Sequence, residues 1–304
     1  MTKFAYFEGE IRPIAEANIS ITNLTFNYGI GCFGGIRGYW NEASQELNVF
    51  RLHDHYRRFL QSTKLLMCRF DNTVEQLAEV TVQLLQREGW QENCYIRPLA
   101  YKSVSPQGGI QLHDNDDYIS IYSRASGKQI QRSTGLHAGV SSWRRVDDNA
   151  IPARGKIIGS YVNSAFIKSE AKLSGYDEAI VLSDDGHVSE GSIANFFMVR
   201  NGQLITPPIT ANSLEGITRR TLIELAQNEL GLPVVEREID RTELYVADEA
   251  LFCGTGMQVA PILSVDHREV GNGQIGPLTQ QLMDLYFNIV LGNVPKYRHW
   301  LTRV

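Results

Sequence analysis

The spacing of apolar positions changes from segment to segment along this chain. Short alternating or continuous apolar runs at 5–7, 10–13, 94–102, 118–123, 137–143, 178–183, 194–200, 234–239, 250–253 and 261–265 predict strands, the first two joined in a hairpin around Gly9. Longer runs with apolar residues three and four apart predict helices over 52–67, 73–88, 161–173, 218–230 and 278–291. In 52–67 the apolar residues are Phe59, Leu60, Leu65 and Leu66, set among basic ones. In 73–88, Val74, Leu77, Val80, Leu84 and Leu85 share a face and Gly89 can cap the end. In 218–230, Leu222, Ile223, Leu225, Ala226 and Leu230 turn inward and Gly231 is the stop. Asn201-Gly202 between two strands is a type I′ hairpin signal.

Many short strands with interspersed helices, in no regular βαβ series, predict an α+β architecture. The polar, aperiodic stretch 124–135 reads as an interdomain connection. It separates a small N-terminal domain, 1–125, from a larger C-terminal domain, 136–304, with 126–135 as the loop between them. A chain of 304 residues is long enough for two such domains. Its net charge of -5 argues against an electrostatic grip on nucleic acid. Cys32, Cys68, Cys94 and Cys253 are scattered without a CxxC pair, which argues against a disulfide framework and a thiolate zinc site and suits the cytoplasm. The first residues lack the apolar core of a signal peptide, and no segment approaches the ~20 apolar residues of a membrane span.

Candidate chemistry concentrates in three places. Glu190 opens a run that reaches Leu214-Glu-Gly-Ile-Thr-Arg219, so an acid and a helix start flank one hairpin. An acid can hold a pyridine nitrogen protonated, and the N–H groups of Ile217 and Thr218, behind Gly216, can take a phosphate. Lys156 lies upstream among Gly155, Ile157, Ile158 and Gly159, neighbours that permit burial. Gly254-Thr255-Gly256 offers a second anion-cupping turn. Singly, each has a plain explanation: a solvated lysine, a strand-end glutamate, a capped helix, a surface turn. Asn195 could be a turn residue and Arg58 could lie on a solvated helix face. Together, a lysine, an acid and an anion cradle point to pyridoxal phosphate. Two motifs are set aside. Gly29-Ile-Gly31-Cys-Phe-Gly34 fits G-x-G-x-x-G but lacks the strand before and the helix after. His53-Asp54-His55 has helical spacing that favours capping and surface roles over a metal.

Read in order, these motifs resemble the class IV pyridoxal-phosphate aminotransferases, above all the branched-chain amino-acid aminotransferases. The signature runs through Glu190, Asn195, Phe197, Leu204, Thr206, Leu214, Gly216, Ile217 and Arg219, and the resemblance extends over nearly the whole chain. It implies fold type IV, with a small N-terminal α/β domain and a larger C-terminal α/β pseudo-barrel carrying the lysine. It implies that Lys156 bonds the cofactor and shuttles a proton, that Glu190 partners the ring nitrogen and that Tyr161 donates to the phenolic oxygen. By the same resemblance Arg58, Ile217, Thr218 and Thr255 form the phosphate cup and Leu214 lies against the ring. Tyr28, Phe33, Gly35, Arg37, Tyr95 and Arg97 shape the substrate pocket, with the α-carboxylate held after Thr255 at Gly256. Amino groups are then expected to pass from Leu, Ile or Val to 2-oxoglutarate in two half-reactions, in at least a homodimer. The departures are Gly34 where an acid is usual, Ile193-Ala194, and the segment 101–113. They keep open a D-amino-acid or (R)-amine transaminase and an aminodeoxychorismate lyase. A non-enzymatic binding protein or a nicotinamide enzyme is the rival from another class.

Overall fold

In the computed structural model, which describes residues 2–105, 108–127 and 134–304, the hairpin around Gly9 forms from Phe4–Phe7 (β1) and Glu10–Pro13 (β2). Leu24–Tyr28 (α1) is one helical turn, begun by the Asn23 side chain accepting from two backbone N–H groups and ended by Gly29 at φ 70°. Gly31–Phe33 (β3), Ile36–Asn41 (β4), Glu46–Phe50 (β5), Leu52–Leu65 (α2) and Val74–Glu88 (α3) follow. Cys94–Ser103 (β6) and Asp116–Ala125 (β7) complete this part. Thr73 and Gln76 close a capping box on α3, and Gly89 ends it in the left-handed region that glycine adopts without strain.

β6 is the hub, pairing antiparallel with β3, β4 and β7. Its period of two buries Cys94, Ile96 and Pro98 and leaves Tyr95, Arg97 and Leu99 on the other face. α3 packs on β1 and β7, and α2 packs on α3 and β3. Tyr56 and Phe59 of α2 and Leu77 and Leu84 of α3 are buried, while Leu65, expected among the apolar contacts of α2, is 42% exposed.

The remaining elements are Leu136–Arg144 (β8), Tyr161–Leu173 (α4), Glu178–Leu182 (β9), Val188–Gly191 (β10), Asn195–Arg200 (β11), Gln203–Thr206 (β12) and Ile217–Leu230 (α5). Val234–Glu236 (β13), Glu249–Gly254 (β14), Gln258–Val265 (β15), Arg268–Glu269 (β16), Pro277–Val290 (α6) and Leu301–Arg303 (β17) end the chain. The second sheet runs β10-β9-β8-β15-β14-β11-β12-β13, with β16 on β15. Its pairs β8/β9 and β12/β13 are parallel, and α4 and α5 supply the crossovers that parallel pairs require. Asn201 and Gly202, both at positive φ, turn β11 into β12 as a type I′ hairpin demands. The core of this sheet gathers Ile180, Leu182, Phe196, Met198, Phe252 and Ile262.

Two compact units result. The first is Met1–Ile130, Gly155–Gly159 and Asn288–Val304, and the second is Gln131–Arg154 and Ser160–Phe287. The chain therefore does not divide in sequence order. The short lysine segment packs in the first unit, and β17 joins the edge of the first sheet on β5. Of the expected connection, Arg124 and Ala125 belong to β7, and 128–133 lie outside the described residues.

Glu243 ties the β11 and β13 ends of the second sheet through Arg200, at 2.6 Å, and Arg237. The Arg237 hydrogen bond, against some desolvation and with help from Arg200, holds the Glu243 carboxyl below its ordinary range. A depressed carboxyl stabilises the fold above its unfolded value, and the contribution is lost as pH falls through the folded value. Thermal unfolding followed against pH should show a limb below about pH 4.3, the ordinary glutamate value. Glu243→Gln should flatten that limb and lower stability near neutrality. An unchanged limb would assign it to other carboxylates.

Candidate active site

In the first unit the lysine segment lies antiparallel to the approach to β3. Phe33 N donates to Lys156 O at 3.0 Å, Ile158 N to Gly31 O at 2.8 Å and Gly159 N to Gly29 O at 3.1 Å. Glycine is needed for this approach: a Cβ on Gly29 would sit 2.8 Å from Gly159 Cα, and one on Gly31 would sit 2.7 Å from Ala100 O. The glycines that mimic a dinucleotide turn are thus the seat of the lysine segment. Lys156 N also donates to Ser62 Oγ of α2 at 3.3 Å. One turn earlier on α2, Arg58 is 8% exposed and not on a solvated face. The Lys156 ammonium lies 5.2 Å from the centre of the Phe33 ring.

Phe33 also meets Arg97, whose guanidinium carbon is 4.3 Å from the ring centre and whose Nη2 donates to Tyr95 Oη at 3.1 Å. Arg37 pairs with Tyr95 in register, and the Arg124 guanidinium lies 5.4 Å from the Tyr95 ring centre. Two guanidiniums, those of Arg97 and Arg124, therefore flank one tyrosine on the outer face of β6, with Arg37 opposite it in the sheet, a surface suited to carboxylates. Arg97 Nε is buried without a hydrogen-bond acceptor among the described residues. Gly35 lies beneath the Tyr95 hydroxyl, which a Cβ would displace. Gly34 has an equally local reason: a Cβ there would fall 2.6 Å from Pro98 Cγ, so the acid usual at this position does not fit. Tyr28, at the end of α1, is 60% exposed. In the segment 101–113, residues 101–103 extend β6 and 106–107 lie outside the described residues.

In the second unit Glu190 is 4% exposed. Arg145 Nη2 approaches its Oε1 at 3.0 Å, while Oε2 accepts from Asn195 Nδ2 at 3.0 Å and from Leu214 N at 3.2 Å. The ion pair and the two amides offset the desolvation of the buried charge. Asn195 Nδ2 also donates to Leu214 O at 2.9 Å, and its Oδ1 occupies the space a Cβ on Gly216 would need. One side chain thereby joins the acid to the start of α5. That start has no side-chain cap and no acid in its first turn, and Ile217 and Thr218 are buried. Tyr161 is half-buried at the first position of α4, and Thr255 and Gly256 lie in the β14–β15 turn.

The donor set fits pyridoxal phosphate. Within the second unit, a buried carboxylate would suit a protonated ring nitrogen and uncapped helix N–H groups would suit a phosphate; within the first, a half-buried lysine would suit a carbonyl carbon. The sequence undervalued Asn195, which is a bridge and not a turn residue, and missed Arg145, whose position in a polar run after β8 carries no periodic signal. Among the described residues one cluster, Asp185, His187 and Glu238, has metal-ligand spacing, with both acids exposed. In the His53-Asp54-His55 run, Asp54 pairs with Arg51 at 2.9 Å and Arg57 at 2.7 Å at the start of α2, while His55 and Arg51 are buried, so the run does not lie wholly on the surface as its spacing suggested. Burial pushes the Cys94 thiol up to about 12, which suits a structural thiol.

The family described as amino-transferase class IV matches residues 31–265. A probable branched-chain-amino-acid aminotransferase of Aquifex aeolicus (strain VF5) is 46% identical over 304 residues, spanning 99% of this chain and 96% of the relative. The crystal structure of the branched-chain aminotransferase of Thermoproteus uzoniensis with norvaline superimposes with a TM-score of 0.93 at 41% identity, covering 100% of this chain and 99% of that one. The structure of the Thermobaculum terrenum enzyme in its pyridoxal-phosphate form gives 0.94 at 41% identity, covering 99% and 98%.

Proposed function

We propose, for a chain that belongs to the class IV aminotransferases, that it moves the amino group of branched-chain L-amino acids to 2-oxoglutarate in two half-reactions. The observation that carries this reading is the Asn195 bridge, which fixes the acid and the uncapped helix start in one arrangement. Pyridoxal 5'-phosphate, when bound, supplies an electron sink for the charge left when the substrate loses its α-proton. Ile217 and Thr218 would donate N–H groups to the phosphate, with Arg58 and Thr255 as further donors. Glu190 Oε1 would accept from the ring nitrogen and keep it protonated, Tyr161 would donate to the phenolic oxygen and Leu214 would lie against the ring. Lys156 Nζ would hold the cofactor at its carbonyl carbon and, once freed, would carry the substrate α-proton. Gly256 N–H receives the substrate α-carboxylate.

Phe33, Gly35, Tyr28 and Tyr95 offer an apolar wall, while Arg97 and Arg37 offer charge to a second carboxylate. Such a face accommodates both a branched side chain and the acid of 2-oxoglutarate or glutamate. Gly34, which with the segment 101–113 kept a D-amino-acid or (R)-amine substrate open, has a packing reason of its own in Pro98. Four free thiols support a cytoplasmic location. No helix among the described residues is long and apolar enough to cross a membrane. Phe26 and Tyr28, 69% and 60% exposed on α1, support cover by a second subunit.

Side-by-side assays of L-leucine, L-isoleucine, L-valine, L-glutamate, D-alanine and (R)-1-phenylethylamine test the reading. Turnover of the first four is expected, and activity with the last two alone would overturn it. Arg97→Met should raise KM for L-glutamate by roughly 10- to 100-fold, the worth of a hydrogen bond to a charged group, while KM for L-leucine stays within about threefold.

A further inference from the structure

A carboxylate offers about four acceptor positions, two on each oxygen. At Glu190, Oε2 takes two donors, Asn195 Nδ2 and Leu214 N, and is filled. Oε1 takes one, Arg145 Nη2 at 3.0 Å. The position left for a ring N–H is therefore the second lone pair of Oε1, and its direction depends on where the guanidinium holds that oxygen. The guanidinium is itself held. Arg145 Nε donates to Asn212 O at 3.2 Å, and Arg145 N donates to Leu182 O at 2.9 Å. Asn212 stands at φ 58°, accepts from Asp148 N at 3.2 Å through Oδ1 and donates to Asp147 Oδ2 at 3.3 Å. Because the guanidinium is a rigid planar fork, fixing Nε and Nη2 fixes its plane. The Arg145 side chain is only 10% exposed, an expense of desolvation that a merely solvated arginine avoids.

We propose that Arg145 is a positioning residue for the reaction: it sets the orientation of Glu190 so that the open lone pair of Oε1 meets the ring nitrogen of the cofactor. The proposal rests on the assignment of Glu190 to that nitrogen. Arg145 touches neither substrate nor cofactor in this scheme and acts only through the carboxylate. A lysine would restore the charge but not the fork, and a methionine would remove both.

The test compares Arg145→Met, Arg145→Lys, Glu190→Gln and the Arg145→Met/Glu190→Gln double variant with the wild type. Three quantities are measured: pyridoxal phosphate affinity of the cofactor-free protein by absorbance titration, kcat and KM for L-leucine, and the unfolding temperature without cofactor. Arg145→Met should weaken cofactor binding and lower kcat by about 10- to 100-fold, the range in which outer partners of metal ligands act, with KM within about threefold. Arg145→Lys should fall between. In the Glu190→Gln background, Arg145→Met should add less than about threefold, because its route of action is already gone. A full additional effect in that background would overturn the proposal. So would an Arg145→Met protein that unfolds at lower temperature yet keeps wild-type affinity and kcat. If Arg145→Met folds poorly, Arg145→Lys and the double variant, which removes both charges, decide between these outcomes. The parent assignment fails separately, through a wild type that takes up no pyridoxal phosphate or a Glu190→Gln variant that binds and turns over normally.

Discussion

Lys156→Ala should lower turnover of L-leucine by about a thousandfold or more, within the range attributed to a positioned proton carrier, and leave the fold in place. The side chain is half-buried, and the segment is held by its backbone. Lys156 N donates to Ser62 Oγ, and Lys156 O accepts from Phe33 N. Both contacts survive in alanine. The removed ammonium loses its place near the Phe33 ring, worth about 0.5–1 kcal/mol. Unfolding of the cofactor-free variant should thus stay close to wild type while the visible band of the lysine-bound cofactor disappears. Single-turnover absorbance with L-leucine measures the loss directly. A variant that keeps more than a tenth of the wild-type rate would remove Lys156 from the chemistry.

The second large effect is on stability. Lys102 is 1% exposed and its Nζ lies 2.6 Å from Asp117 Oδ1, whose side chain is 7% exposed. Asp117 Oδ2 also accepts from Arg69 N at 2.9 Å. The pair sits in register on β6 and β7. Lys102→Ala leaves a buried carboxylate without its cation, a change that costs about 3–5 kcal/mol. Native domains hold only about 5–15 kcal/mol in total, so urea unfolding should shift markedly to lower denaturant. Lys102→Met combined with Asp117→Asn keeps an acceptor for Arg69 N, buries no charge and should recover most of the loss. A Lys102→Ala protein within 1 kcal/mol of wild type would show that water reaches this pair.

Local chemistry accounted for much of the architecture. Gly89 and Gly231 end α3 and α5 in the left-handed region, Asn201-Gly202 forms its hairpin, and the period of β6 separates core from outer face. Elements that went unread depend on distant partners. β4 contains Gly38, poor strand material in isolation, because a Cβ there would lie 2.8 Å from Cys94 Sγ. β10 is too short for a pattern, and β17 exists only as a partner for β5. In the site, residue types and their order pointed to Lys156, Glu190 and the α5 start, and no local signal separated Arg145 from Arg144.

Residue types and their order pointed to the cofactor, and the family resemblance they carry implied the roles expected of the lysine, the acid and the phosphate cradle. Those signals depend on residue types within a few positions of one another: a helix start, a glycine before it, an acid before a turn. Contacts between distant segments settled the remainder. They turned an apparent dinucleotide motif into the seat of the lysine segment, placed Arg97 and Arg124 around Tyr95, and made Asn195 and Arg145 the holders of Glu190. A buried charge is compensated by whatever the fold brings within about 3 Å, and that partner leaves no periodic or propensity signal along the chain.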